Sequence, residues 1–101
     1  MLLPTTAYKR LNELLWMNRL PPATIIMVDE AVLPCCYGLT IQDEIVALPV
    51  ILLNSGEKRW GLTLVHECLH VAEPALRHGT VFETLVQRYW KIARENVKGL
   101  K

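Results

Sequence analysis

Several things are scarce in this chain, and each scarcity excludes a class of function. Its 101 residues hold three cysteines, and 11 Lys and Arg stand against 10 Asp and Glu, for a formal net charge of +1. Such a balance gives no broad basic field for nucleic acid and no acidic tail. The longest apolar run, Ile45 to Leu53, is about half of what a bilayer span needs and contains Pro49. Met1-Leu2-Leu3-Pro4 lacks the charged start and long apolar stretch of a secretory signal. Two of the cysteines, Cys35 and Cys36, are adjacent, which is neither a disulfide framework nor the C-x-x-C spacing of a redox or metal pair. A reducing, cytoplasmic setting is expected. No repeat, low-complexity tract or linker interrupts the chain, and its length fits a single domain spanning residues 1–101.

What is present is a short cluster of histidines. Leu64-Val65-His66-Glu67-Cys68-Leu69-His70 puts His66 and His70 at i and i+4. On a helix the two lie within about 40° of each other, so both rings address one point. Two neutral imidazoles on one face make half of a tetrahedral zinc site, and Glu67 lies one step round the helix, in the H-E-x-x-H arrangement. Glu73-Pro74 ends that helix one turn later, and His78-Gly79 follows before a new helix opens at Thr80. Folded back, His78 can complete a three-histidine site with the fourth position open to water. Glu73 and Glu83 are its rivals as third ligand. A capping box from Thr80 to Glu83 would occupy the latter, so His78 is the preferred choice. Cys68, about 200° from His66, faces away and reads as a small buried hydrophobe.

The rest of the chain reads as α+β. A first helix capped by Thr5 or Thr6 runs to about Arg19, with Tyr8, Leu11, Leu14, Leu15 and Leu20 on its apolar side and Pro21-Pro22 beyond it. Thr24 to Val28 is a β-branched strand. Two more extended stretches, Cys36 to Gln42 and Ile45 to Leu53, meet at a polar joint, Gln42-Asp43-Glu44, that predicts a hairpin. Gly38 marks a bulge or a close backbone approach. Ser55 is placed to cap the metal helix, whose Leu62, Val65, Leu69 and Ala72 form a stripe turned away from the histidines. The last helix carries Phe82, Leu85, Val86, Tyr89, Ile92 and Ala93 on one face, and the tail from Glu95 is expected to fray. Trp16, Trp60 and Trp90 have no accompanying basic run and are assigned to packing rather than to base stacking.

His66-Glu67-Cys68-Leu69-His70 followed by His78-Gly79-Thr80-Val81-Phe82 resembles the SprT-like zinc metallopeptidases, whose signature is H-E-x-x-H and then H-G-x-x-F opening another helix. The resemblance implies a small three-stranded sheet packed with about three helices, zincin- or minigluzincin-like. It also implies zinc held by His66, His70 and His78, Glu67 as catalytic acid/base, and a peptide or protein substrate lying extended along a sheet edge. The short connection from His70 to His78 is nearer to the compact bacterial and phage-type members than to Spartan-type enzymes. No cysteine-rich ribbon is seen after the last helix, so a DNA-linked role is not expected. Arg77, Tyr37 and Tyr89 are candidate donors to a reacting carbonyl. The contrasting expectation is an inactive or metal-free interaction module that keeps the peptidase fold.

Overall fold

A computed structural model of the chain describes residues 2–34, 36–42 and 48–100. The elements run α1 (Pro4–Trp16), β1 (Thr24–Val28), β2 (Gly38–Ile41), β3 (Val50–Asn54), α2 (Trp60–Ala72) and α3 (Thr80–Asn96). The α+β expectation, three strands and three helices, is met. Asp43 to Ala47, which hold most of the expected hairpin joint, and Cys35 lie outside the described residues.

The sheet has the order β1-β3-β2. β3 is central: β2 pairs with it antiparallel, as a hairpin would, and β1 pairs with it parallel, Ile25 opposite Ile51. Pro49 stands just before β3, outside the strand itself, and its carbonyl accepts from Thr24 N–H. Ile51 and Leu53 of β3 are fully buried beneath the helices, whereas Leu39 and Ile41 of β2 and Ile26 of β1 remain half-exposed. α2 lies across β2 and β3 and between α1 and α3. The main core joins Ala7, Tyr8 and Leu11 of α1, Leu64, Val65 and Cys68 of α2, and Trp90 and Ala93 of α3. A smaller cluster of Leu69, Phe82 and Val86 lies where α2 meets α3.

The helix ends differ from expectation in an instructive way. Pro4 takes the first position of α1, where its missing N–H is no loss, and Thr5 and Thr6 fall inside the first turn. α1 stops at Trp16 rather than Arg19. Met17 and Asn18 turn left-handed, and the Asn12 side chain closes the exit by pairing with both the N–H and the C=O of Leu20. Ser55 does not cap α2. It belongs to a turn organised by Asn54, whose Oδ1 accepts Gly56 N–H, and the carboxylate of Glu57 accepts Arg59 N–H at the helix entry. Thr80 is the first helical residue of α3, one position too late to cap it, and the box with Glu83 does not form. On the α3 face Trp90 is buried and Ile92 exposed. The tail does not fray at Glu95 either: α3 continues to Asn96, Val97 is buried in the core, and Leu100 packs against it.

Candidate metal centre

Leu64, Val65, Cys68 and Val71 anchor α2 in the core, a burial broader than the single expected stripe, and they fix the rotation of the helix. His66 and His70 are thereby turned to the rim. The break at Glu73-Pro74 sends the chain through a short turn, closed by Leu76 N–H on Glu73 C=O, that brings His78 back over them. The Nε2 atoms of His66 and His70 are 3.2 Å apart, and those of His70 and His78 are 2.9 Å apart. A tetrahedral ion with nitrogen ligands at about 2.0 Å has edges of about 3.3 Å, close to these two separations, and all three ligand atoms lie within 4.8 Å of one another. Glu83 is not part of this ligand cluster, which among the described residues consists of His66, His70 and His78. Released from the capping box, Glu83 instead lines the cleft near His66, where its charge partly offsets the effect described next.

Burial, and after it the neighbouring imidazoles, hold His66 and His70 below the ordinary histidine value. Both are therefore neutral at pH 7 and offer a lone pair without first losing a proton, as metal binding demands. Phe82 supports the triad from below. Fully buried, it sets its ring 4.6–5.0 Å from all three imidazoles. The sequence places Phe82 on the apolar stripe of α3, but its contact with every member of the triad follows only from the fold.

Glu67 is only 4% exposed. Its Oε2 lies 3.8 Å from His66 Nε2, and its Oε1 accepts a 2.7 Å hydrogen bond from the hydroxyl of Thr40 on β2. Burial raises its proton affinity above that of an ordinary carboxylate, and the Thr40 bond opposes that shift in part. Thr40 has no helical motif to announce it; only the strand register brings it to Glu67. Gly38 shows the close approach expected of it. A Cβ there would sit 2.6 Å from Thr63 Cγ2 and 3.2 Å from Glu67 Cγ, so glycine lets β2 lie against α2.

The triad and Glu67 open onto a cleft of about 1730 Å³ that runs from the Asp29–Tyr37 loop along β2 to α3. Of the three candidate donors Tyr37 lines it, and Arg77 and Tyr89 do not. Tyr89 packs on Trp16, with ring centroids 5.2 Å apart. Cys68 is buried in the core, and its thiol is pushed up by that burial and by Glu67, which makes it an inert packing residue. No helix among the described residues is long and apolar enough to cross a membrane. No family model, curated protein or solved structure matches this chain, so the geometry stands by itself.

Proposed function

We propose that the chain is a zinc-dependent metallopeptidase of SprT-like, zincin type, with His66, His70 and His78 as ligands and Glu67 as general acid/base. The observation that carries this reading is the convergence of three imidazoles, their ligand atoms within 4.8 Å of one another, beside a buried carboxylate. Three imidazoles with no cysteine ligand, at the surface of a cleft, match a catalytic site with an open position better than a closed structural one. When bound, zinc would lower the pKa of a water to near 7 and polarise the scissile carbonyl. Glu67 presents Oε2 on that side. Its raised proton affinity suits it to take a proton there and hand it to the leaving nitrogen.

The cleft wall also bears on the substrate. Asp29, Glu30, Glu67 and Glu83 line it, and among the described residues no Lys or Arg does. A phosphodiester would meet carboxylates without a cationic clamp, which favours a peptide bond over a nucleic-acid backbone. The substrate is a protein or peptide in an extended or unfolded state, and the setting is cytoplasmic.

The test is metal removal. Protein dialysed against a chelator should lose hydrolysis of fluorescein-labelled casein and of a quenched decapeptide mixture. About one equivalent of zinc per chain, measured by elemental analysis, should restore it. Protein that retains no zinc after reconstitution would overturn the reading. His78→Ala should shed most of the metal in the same assay, whereas Glu83→Gln should keep it, because Glu83 stands outside the ligand cluster.

A further inference from the structure

The carboxylate of Glu67 is held by a residue from another layer of the fold. Thr40 comes from β2, and its hydroxyl donates to Glu67 Oε1 at 2.7 Å across 27 positions of sequence. A glutamate side chain has three rotatable bonds and, unrestrained, would spread its two oxygens over several orientations. With Oε1 fixed by Thr40, the remaining oxygen, Oε2, is the one turned toward His66 Nε2. The approach that allows this is specific. β2 can come near enough to α2 only because Gly38 has no side chain to meet Thr63 and Glu67.

The strand register adds a second point. Asn54 N–H donates to Tyr37 C=O, so Tyr37 turns its main chain toward β3. In an antiparallel pair this direction alternates. Leu39 and Ile41 therefore also bond inward, and Gly38 and Thr40, which line the cleft, turn their N–H and C=O to the edge of β2 that no strand among the described residues pairs with. Thr40 thus has its side chain on the general base and its backbone on the edge where an extended substrate would pair. A change confined to its side chain leaves those edge groups in place.

We propose that Thr40 is a positioning residue, whose hydroxyl fixes the Glu67 carboxylate so that one oxygen is presented to the reacting centre. The inference rests on the peptidase reading above. A residue of this kind affects turnover rather than substrate affinity, and loss of such an outer partner lowers activity by about 10- to 100-fold.

The experiment compares zinc-reconstituted wild type, Thr40→Val and Thr40→Ser on the quenched decapeptides, with zinc content and circular dichroism measured on each. Thr40→Val, which keeps the β-branched shape, should hold about one zinc and an unchanged KM while kcat falls by about 10- to 100-fold. Thr40→Ser, which restores the hydroxyl, should recover most of that loss. If Thr40→Val does not fold, Thr40→Ala removes the hydroxyl without pressing a methyl group on the carboxylate, and the same result is expected. A wild-type kcat in the hydroxyl-free variant overturns the inference, as does a rise in KM alone or a Thr40→Ser protein as slow as Thr40→Val. Zinc-loaded wild type that cleaves neither peptide nor casein overturns the peptidase reading and this inference with it.

Discussion

Glu67→Gln is expected to keep about one zinc per chain and to lose peptide hydrolysis by about 10²- to 10⁴-fold, the range over which a general acid/base acts. The substitution is close to isosteric. The amide oxygen can still accept from Thr40, and the three histidines are untouched, so zinc content should match wild type by elemental analysis. What disappears is the group that takes and returns the proton. If casein hydrolysis by the zinc-loaded variant stays near the wild-type rate, acid/base catalysis by Glu67 is wrong. If a cellular phenotype of the chain survives while hydrolysis is lost, an interaction module that retains the fold becomes the better account.

The same variant carries a thermodynamic signature in metal-free protein. Burial raises the Glu67 carboxyl above its ordinary 4.5, so the folded chain binds this proton more tightly than the unfolded chain does. The sign follows from linkage: where the folded state holds more protons, stability falls as pH rises. The penalty begins near the ordinary carboxylate value and grows upward until the folded group has ionised. Apo Glu67→Gln should therefore melt higher than apo wild type at pH 7, and the gap should close toward pH 4. An equal gap at both pH values would show that ionisation of Glu67 is not its source.

Phe82→Ala should be the most damaging change among the apolar residues. The ring is fully buried, shares a cluster with Leu69 and Val86, and backs all three imidazoles. Truncating a buried phenylalanine costs about 3–5 kcal/mol, a large part of the roughly 5–15 kcal/mol that holds a domain folded. Urea unfolding of the apo protein measures that loss. The imidazoles would also gain freedom on their packed side, and zinc affinity, read by competition with a chelating dye, should fall by about 10- to 100-fold, as for other supports of metal ligands. Phe82→Leu, which keeps most of the volume, should recover the larger part of the stability. Unchanged zinc affinity in a folded Phe82→Ala protein would mean that backbone placement alone orients the triad.

The helices, the strands and the histidine triad were legible in the sequence because each is written in local spacing. His66 and His70 share a face by helical period, and Pro74 predicts the turn that returns His78. Hydrogen-bonded ends were less legible. Thr5, Ser55 and Thr80 are all chemically able to cap a helix, but each lies out of register with the first turn that forms, and Pro4, Glu57 and the Gly79 backbone serve those starts instead. The parallel pairing of β1 with β3 was beyond reach, since apolar strand residues look alike whichever neighbour they meet. Thr40 was missed for the same reason: only the position of β2 against α2 distinguishes it from any other strand threonine.

The sequence distances within the site imply an order of assembly. The three histidines lie within residues 66–78 and need only one helix, a break and a loop of a few residues to meet. Closing a loop of that size takes on the order of 10–100 ns in an unfolded chain. The Thr40–Glu67 bond, by contrast, requires β2 to be seated on β3 and α2 to be docked on both, a non-local arrangement that forms more slowly. If the chain is the peptidase proposed above, metal capture and catalytic competence would then be acquired at different times. On the peptidase reading, a partly unfolded chain could gather the imidazoles while its carboxylate still lacks a partner, and hydrolysis would wait for the completed sheet.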